Sequence, residues 1–341
     1  MGVDLSGIIT PKEIEIKVLA DRVVGVDAHN TLYQFLSIIR GPDGEPLKNR
    51  KGQVTSHLSG IFYRTCKLLS EGVKLVYVFD GKPHPLKFKT IGARREAREE
   101  ATIRYKEAIE AGDLVSAKKY AQASTRLDFY IIETAKELLK RLGVPAIQAP
   151  GEGEAQAAYM TKAGLLYATA SQDYDALLFG ATRLVRNLAI TGRRKLPNRN
   201  AYVEVNPEII ELDNVLRENE ISWEQLIAIG LLVGTDFMPG IKGVGAKKAL
   251  KLIKKGMSID DIYALHGEIK PQEFEEVFNI FYRPQVETQE IFLGNVDTEA
   301  VIDFLVTEHD FSEDRVRKAL EPVVKLQERK ETKAGLSRWM F

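Results

Sequence analysis

Short apolar runs that end at an acidic residue recur in the first part of the chain. Val23–Val26 leads into Asp27, and Val73–Phe79 leads into Asp80. Both runs are rich in β-branched and aromatic residues and are too short for helices, which is typical of buried strands. The pattern predicts three more strands, at Val144–Gln148, Tyr167–Ala170 and Arg183–Leu188.

Segments with helical periodicity separate these runs. The helices predicted between the strands are Thr55–Leu69, Phe129–Leu142 and Gly153–Lys162. Strands that alternate with helices predict an α/β fold, with a mostly parallel central sheet flanked by helices. From Ser222 onward the pattern is mostly helical, so we expect an α/β core over residues 1–221 and a helical region over residues 222–324. The charged segment Lys325–Lys333 predicts a flexible, disordered tail over residues 325–341.

Residues 81–128 interrupt this alternation of strands and helices. They are highly charged and helix-prone and carry few large apolar side chains, which predicts one or two exposed helices that leave the sheet. The basic residues of its first part are Lys87, Lys89, Arg94, Arg95 and Arg98. Arg94 and Arg98 are four residues apart and share a helix face. Cations that directly follow Asp80 could lie over a phosphate, although a solvated surface helix fits the same spacing.

The composition narrows the class of protein. The chain has 341 residues, enough for a large hydrophobic core, and its 44% hydrophobic and 28% charged content is ordinary for a soluble protein. Its single cysteine, Cys66, excludes an internal disulfide and a cysteine-based zinc site. The longest apolar run, around Leu226–Val233, is too short to span a bilayer. We therefore expect a cytoplasmic protein that does not bind membranes.

The net charge of zero hides strongly basic stretches. Residues 183–199 and residues 242–255 each carry six basic side chains and no acid. Because phosphate binding depends on the local potential, such stretches could follow a nucleic-acid backbone. In the second stretch, a Gly-x-Gly turn precedes a predicted helix that carries Lys247 and Lys248. Backbone N–H groups at a helix N-terminus bind phosphate without reading bases, although a plain helix–helix turn is an alternative.

Seven acidic residues stand where strands or helices are predicted to begin or end. They are Asp27, Asp80, Glu152, Glu154, Asp173, Asp175 and Asp236. In an open α/β sheet the reactive crevice lies beyond the carboxyl ends of the strands, so these side chains would meet in one cleft. So many carboxylates cannot stay ionised together without cations. Oxygen-only ligands suit Mg²⁺ or Mn²⁺, and two such ions form a centre that cleaves phosphodiesters.

Each acid taken alone has a simpler interpretation. A single Asp after a strand more often caps a turn or a helix than binds a metal. A pair such as Asp173 and Asp175 also occurs in sugar-transfer enzymes. Only the full set of seven favours a metal-dependent nuclease.

The motifs that contain these acids resemble the flap endonuclease family, and its archaeal branch closely, over essentially the whole chain. The segments are 26–33 (VDAHNTLY), 77–83 (YVFDGKP), 149–155 (APGEGEA), 171–177 (SQDYDAL) and 234–237 (GTDF), followed by 240–249. The resemblance implies a PIN-like nuclease core, a helical arch at about residues 81–128 and a helix–two-turn–helix module at about residues 234–256. It also implies cleavage of 5′ flaps at the junction of single- and double-stranded DNA in replication and repair, with 5′–3′ exonuclease activity.

The resemblance further implies roles for individual residues. All seven acids would bind two Mg²⁺, with Mn²⁺ as a substitute. The residues implied to be catalytic are Asp80, Glu152 and Asp175, together with the arch cations Lys87 and Arg94. The residues implied to bind DNA are Gly2, Tyr33, Thr55, Arg95, Arg98, Gly243, Gly245, Lys247 and Lys248. A K⁺ ion would lie at the helix–two-turn–helix.

The end of the chain resembles the motif that binds the sliding clamp PCNA. Leu336 and Trp339 match the motif, whereas Lys333 stands at its glutamine position. Met340 takes the place of the second aromatic residue, and Phe341 comes one place late. The resemblance implies that Leu336, Trp339 and Phe341 bind the clamp. We expect the enzyme to act on flap and branched DNA as a monomer.

Three other functions compete with a flap endonuclease. A related 5′ exonuclease, a bubble- or gap-cutting enzyme or an RNA-cleaving PIN protein would share the acids. The arch favours threaded 5′ ends, and a bubble-cutting enzyme would carry a long insertion that the sequence does not show. A non-catalytic, clamp-tethered DNA-binding scaffold would gain nothing from seven acids beside DNA. A phosphate- or sugar-transfer enzyme would leave residues 240–249 and the C-terminal motif unexplained.

Overall fold

The computed structural model describes residues 2–41, 44–190, 192–195 and 202–337. The strands in these ranges are β1 (Lys12–Glu13), β2 (Val23–Asp27), β3 (Lys74–Phe79), β4 (Ala146–Gln148), β5 (Ala168–Ala170), β6 (Arg183–Arg186), β7 (Gly192–Lys195), β8 (Tyr202–Val205) and β9 (Glu208–Glu211). The helices are α1 (Ala28–Ile38), α2 (Ser56–Ser70), α3 (Phe88–Glu110), α4 (Leu114–Ala123), α5 (Phe129–Arg141), α6 (Gly153–Lys162), α7 (Asp175–Leu178), α8 (Leu212–Asn219), α9 (Trp223–Val233), α10 (Ala246–Lys254), α11 (Ile259–Leu265), α12 (Phe274–Tyr282), α13 (Thr298–Ile302) and α14 (Glu313–Ser337). A π-helical turn at Asp303–Glu308 follows α13. No helix in the described ranges is long and apolar enough to cross a membrane.

In the part of the chain that the structure describes, seven strands form one sheet in the order β1-β9-β6-β5-β2-β3-β4. The neighbouring strands from β6 to β4 pair in parallel. At the other edge, β9 pairs antiparallel with both β6 and β1. The mostly parallel sheet predicted from the alternating pattern is therefore confirmed. The pattern does not predict β1 and β9, because both are short and bounded by charged residues. β7 and β8 pair separately as an antiparallel ribbon.

The central strands are buried on both faces. Along β3, Leu75, Tyr77 and Phe79 pack into one hydrophobic cluster, and Val76 and Val78 pack into another. Side chains of α1, α2, α5 and α14 contribute to the first cluster, and side chains of α6 contribute to the second. Because alternate side chains of a strand point to opposite faces, this two-sided cover explains the continuous apolar run in the sequence.

Residues 81–128 leave the sheet as a helical hairpin, which we call the arch. Its helices α3 and α4 are joined at Gly112, whose φ of +70° suits glycine. Among the described side chains of the two helices, the buried apolar ones are Ala101, Ala108, Ala117 and Ala121. The arch therefore rests on a seam of small residues rather than on a large hydrophobic core.

The final helix is longer than the sequence indicates. The sequence predicts disorder at Lys325–Lys333, but α14 continues through this segment, so that prediction is wrong. Lys325 pairs with Glu321 one turn earlier, and Lys330 pairs with Asp21 just before β2. Such pairs stabilise a charged helix locally, and the second is an exposed contact with the segment before β2.

Candidate active site

A cleft of about 620 Å³ opens at the carboxyl ends of the parallel strands. The structure brings to its wall all seven acids that the sequence predicts to meet. In chain order they are Asp27, Asp80, Glu152, Glu154, Asp173, Asp175 and Asp236. They come from the ends of β2, β3, β5 and α9 and from the start of α6. The sheet topology thus collects acids that are far apart in the chain.

Asp27 is nearly buried, with 7% of its surface exposed. It caps α1 by accepting a hydrogen bond from the backbone N–H of Asn30, at 3.0 Å. The helix-cap interpretation therefore holds for this residue. Burial, and then the neighbouring Asp80, raise the pKa of Asp27 to about 8. Its ionised form would gain from a nearby cation.

The hydroxyl of Ser171 lies between two carboxylates. Its Oγ is 2.7 Å from Glu154 Oε1 and 3.3 Å from Asp27 Oδ2. Burial, and then Asp175 and Asp27, raise the pKa of Glu154 well above its usual value. Burial also raises the pKa of Asp175 to about 7, although the backbone N–H of Val3 donates to its Oδ1 at 2.7 Å and opposes that rise. Crowded carboxylates and low solvent access thus act together in this part of the cleft.

Asp80 is held between the backbone of one element and a histidine of another. The N–H of Gly153 donates to its Oδ1 at 2.7 Å, and a Cβ at Gly153 would lie 2.8 Å from the same oxygen. This close approach explains why a glycine separates Glu152 from Glu154. The backbone N–H of Asp80 donates to His29 Nδ1 at 3.1 Å, so the proton of neutral His29 is on Nε2.

Two arch cations reach the acids of the cleft. Lys87 Nζ contacts Glu152 and lies 4.0 Å from Asp236 Oδ2. Arg94 Nη2 donates to Asp236 Oδ1 at 2.5 Å. Burial lowers the pKa of Lys87, but Glu152 and the other acids nearby outweigh that effect and the pKa is raised. Lys87 therefore remains charged beside the acids.

The donors of the cleft fit a hard divalent cation. Every candidate ligand is a carboxylate oxygen, which suits Mg²⁺ or Mn²⁺ and not zinc. The raised pKa values of Asp27 and Asp175 favour a compensating positive charge. Among the described residues, no three carboxylate, imidazole or thiolate groups are already arranged to hold a metal ion. The arch cations are paired with Glu152 and Asp236, so cation binding by these two acids requires the pairs to open.

The predicted DNA-binding residues divide into those inside and those outside the cleft. Tyr33 and Arg98 line it, with the Arg98 guanidinium 5.5 Å from the centroid of the Tyr33 ring. Arg95 is exposed on α3 and pairs with Glu99 at 3.0 Å, outside the cleft wall. Thr55 precedes α2 and is buried, also outside the cleft wall.

The Gly-x-Gly turn lies on a separate part of the surface. Gly243 has a φ of +76°, which favours glycine, and Gly245 is the N-cap of α10. Lys247 and Lys248, in the first turn of α10, line a cavity of about 380 Å³. The N-terminus of α10 and its two lysines thus face the same open space, an arrangement that would suit phosphate binding.

The two ends of the chain carry different predictions. Gly2 adjoins the cleft, because a Cβ on it would lie 2.7 Å from Asp175 Oδ1. Leu336 belongs to α14, but its side chain lies outside the described residues. Trp339 and Phe341 also lie outside them, so the clamp-binding motif stays a prediction.

Three further side chains that contact the acids of the site are not predicted from the sequence. His29 contacts Asp80, Ser171 contacts two acids, and Asn30 donates to Asp173 at 3.0 Å. The pattern of acidic residues along the chain does not indicate which histidine, serine or asparagine contacts them. Their one signal in the sequence is a position two or three residues from Asp27 or Asp173.

Two family models match the chain. The XPG N-terminal domain matches residues 1–101, and the XPG I-region matches residues 143–236. The first range contains Asp27 and Asp80, and the second contains the other five acids of the cleft. Both halves of the acidic set therefore lie within recognised regions of one nuclease superfamily.

Known relatives are similar over nearly the whole length. The chain is 52% identical to flap endonuclease 1 of Ignicoccus hospitalis, over 92% of this chain and 90% of the relative. It is 49% identical to flap endonuclease 1 of Archaeoglobus fulgidus, over 99% of this chain and all of the relative. Its fold matches the solved flap endonuclease-1 from Methanococcus jannaschii with a TM-score of 0.76 and 42% identity, over 96% of this chain and 100% of that one. This chain therefore belongs to the flap endonuclease 1 family.

Proposed function

We propose that this nuclease hydrolyses a DNA phosphodiester where a 5′ single strand leaves a duplex, with two divalent cations in the acidic cleft. One observation carries the proposal. Lys87 and Arg94 descend from the arch to Glu152 and Asp236, so phosphate-binding cations and metal-binding acids share one space. A strand that passed beneath the arch would meet both kinds of group at once.

The acids divide into two sets that would hold the cations, Mg²⁺ by preference with Mn²⁺ as a substitute. One set is Asp80, Glu152 and Glu154, and the other is Asp173, Asp175 and Asp236, with Asp27 near both. When bound, such cations lower the pKa of the attacking water and neutralise charge on the leaving 3′ oxygen. The products would be a 5′-phosphate and a 3′-hydroxyl.

The protein's own groups orient the strand and stabilise the transition state. Lys87 and Arg94 would leave their acid partners and donate to the phosphoryl oxygens, where negative charge develops. Tyr33 would stack on the nucleotide next to the scissile bond, with Arg98 beside its ring. Gly2 packs against Asp175 and would keep that acid in place.

The remaining contacts would recognise the shape of the DNA rather than its sequence. The turn at Gly243 and Gly245, with Lys247 and Lys248, would grip the backbone of the downstream duplex and hold a K⁺ ion. Thr55 would lie near a 3′ flap, and Arg95 near the 5′ strand. The C-terminal motif with Leu336, Trp339 and Phe341 would bind PCNA. The enzyme would work as a monomer in the cytoplasm of an archaeal cell, in Okazaki fragment processing and repair.

The test uses three end-labelled DNAs with Mg²⁺: a double flap, a nicked duplex and a single strand. We expect strong cleavage of the double flap at one site near the junction, and its loss in EDTA. Comparable cleavage of all three DNAs would identify a general 5′ nuclease instead. Tight binding without cleavage would favour a scaffold.

The Asp175→Asn variant tests the metal assignment. It keeps the oxygen that accepts from the Val3 N–H and removes the negative charge. We expect cleavage to disappear and flap binding to remain. The matched control is Asp314→Asn, at an exposed acid of α14 that pairs with Lys318. Near-normal cleavage by Asp175→Asn would contradict the assignment.

A further inference from the structure

We propose that Asn30, itself held by Gln34, is a positioning residue that fixes the Asp173 carboxylate for cation binding. The inference rests on the proposed function, in which Asp173 is a metal ligand. Asn30 Nδ2 donates to Asp173 Oδ2 at 3.0 Å, and Gln34 Nε2 donates to Asn30 Oδ1. Asn30 and Gln34 are one turn apart on α1 and so share a face of that helix. We call these two amides and Asp173 the amide relay.

The chemistry of the groups sets the direction of the amide relay. An ionised carboxylate only accepts hydrogen bonds, so Asn30 must present its NH₂ group to Asp173. Its amide oxygen then faces Gln34, which must donate in turn. Gln34 Oε1 is therefore turned away from Asn30. It is buried and, among the described residues, has no hydrogen-bond partner.

A small cavity adjoins the Gln34 side chain. Its volume is about 10 Å³, at the lower limit for one water molecule, and its wall includes Gln34, Asn30, Ser171 and Gln172. A water there would donate to Gln34 Oε1 and complete the hydrogen bonding of the amide relay. The relay would then be a satisfied, partly buried network that holds its members in one geometry.

Among the described residues, the Asp173 carboxylate is held by one amide, and not by an arch cation or a backbone N–H. In the described part of the chain, Asn30 is the one side chain that hydrogen-bonds the Asp173 carboxylate. Glu152 and Asp236 have the arch cations as partners, and Asp175 has the Val3 N–H. Loss of the Asn30 amide would leave the Asp173 carboxylate free to rotate. Partners that orient metal ligands typically contribute about 10–100-fold to metal affinity or activity.

The Asn30→Ala variant isolates the amide. The backbone N–H of residue 30, which Asp27 accepts from, is kept, and alanine is a good helix former. Gln34→Met is the second variant, because it roughly keeps the volume of the side chain and removes the amide that donates to Asn30. Gln122→Ala is the control, since Gln122 lines the same cleft but donates to the Ser37 carbonyl at 3.1 Å, and not to an acid.

The primary measurement is calorimetric binding of Mn²⁺ to the free protein, with the Mg²⁺ midpoint of double-flap cleavage as the second. We expect Asn30→Ala to weaken Mn²⁺ binding and raise the Mg²⁺ midpoint by about tenfold or more. Gln34→Met should shift both in the same direction by less, and Gln122→Ala should shift neither. At saturating Mg²⁺ the cleavage rate of Asn30→Ala should approach that of wild type, and flap binding in Ca²⁺ should be unchanged.

Two results would overturn the inference. One is wild-type Mn²⁺ affinity in Asn30→Ala. If thermal unfolding shows that Asn30→Ala is not folded, wild-type Mn²⁺ affinity in Gln34→Met is the corresponding result. The other is unchanged Mn²⁺ affinity with weaker flap binding, which would make Asn30 a DNA contact. A wild-type protein that cleaves no flap with Mg²⁺ would instead remove the proposed function, so the two failures are distinguishable.

Discussion

Gly2 adjoins the acidic cleft although it lies at the start of the chain. The next residue, Val3, donates its N–H to Asp175, and a Cβ on Gly2 would lie 2.7 Å from Asp175 Oδ1 and 2.8 Å from Asp173 Cβ. Distances below 3 Å are shorter than real Cβ contacts, so a side chain at this position would force Asp175, Asp173 or the backbone to shift. The position of two candidate metal ligands therefore depends on a residue that has no functional group.

We predict that Gly2→Ala lowers flap cleavage by roughly tenfold or more, because a displacement of about 1 Å at a reacting centre costs that much or more. The added methyl group has to displace Asp175, Asp173 or the N-terminal segment. The measurement is single-turnover cleavage of the double flap. The control is Gly151→Ala, whose new Cβ would meet its nearest atom, the Gln285 carbonyl, at an ordinary 3.8 Å. Equal rates for Gly2→Ala and wild type would mean that the segment yields without cost.

The acids of the site could be predicted from the sequence, but their partners could not. Asp27 and Asp80 close strands that are recognisable from their apolar runs, and parallel strands end at one edge. The contact of Lys87 with Glu152 depends on how the arch folds back over the sheet, which no local pattern encodes. The role of Asn30 depends on an acid 143 residues away. The sequence thus predicts which charged residues form this cleft, but not which residues contact one another in it.

The arch contributes few buried apolar side chains of its own. Its two helices meet through alanines, and its long helix α3 contains Gly92 in the interior, where a Cβ would meet no atom within 4 Å. By contrast, every residue of β3 after Lys74 is buried. Elements with few buried apolar contacts open locally at low free energy. The arch is therefore expected to open before the sheet does.

We predict that Gly92→Ala slows tryptic cleavage of the free protein within residues 88–127. Alanine favours the helix over glycine by about 1 kcal/mol, which lowers the open population roughly fivefold. Gly112→Ala is the matched control with the opposite sign, because its φ of +70° strains any residue with a Cβ. Cleavage sites and rates are read by mass spectrometry. Identical cleavage rates for both variants would show that the arch does not open by unwinding of its helices.

The sequence predicts the strands that are buried on both faces of the sheet, and it does not predict elements that are buried on one face or exposed. β2 and β3 follow from continuous apolar runs, since helices cover both faces of the sheet. β1 and β9 are short edge strands whose pairing comes from a distant partner. The end of α14 looks disordered in the sequence because its stabilising contact, Lys330 with Asp21, joins residues 309 positions apart. Long-range contacts of this kind leave no periodic signal.

The C-terminal segment contacts α5 next to a buried histidine of α2. His57 on α2 is fully buried, with Nε2 2.8 Å from Thr134 Oγ1 on α5. Because that hydroxyl donates to the Tyr130 carbonyl at 2.6 Å, His57 Nε2 is the donor and its Nδ1 carries no proton. His309, just after the π-helical turn, lies 3.4 Å from the Tyr130 hydroxyl. The described residues offer His57 Nδ1 no hydrogen-bond partner.

This junction makes the stability of the molecule sensitive to acid. Burial, and then the nearby His309, lower the pKa of His57 to about 3. In the unfolded chain a histidine titrates near its ordinary value of about 6.5. The folded state therefore favours the neutral form, and the contribution of His57 is fully present above that pH and is lost as the pH falls toward 3. The acids of the cleft act in the opposite sense, because the raised pKa of Asp27 and Asp175 means that their protonation stabilises the fold.

The two effects overlap in wild type, so the prediction compares it with His57→Gln, which keeps an amide donor towards Thr134 and cannot titrate. Unfolding free energies from urea melts in EDTA are measured at pH 6.5 and 4.5. We expect the stability of wild type relative to the variant to fall by about 2 kcal/mol between these values, since one proton per molecule is taken up on unfolding. The acids of the cleft are the same in both proteins, so their contribution cancels in the difference. Parallel pH curves for the two proteins would mean that His57 is protonated in the fold without cost, and that acid sensitivity arises elsewhere.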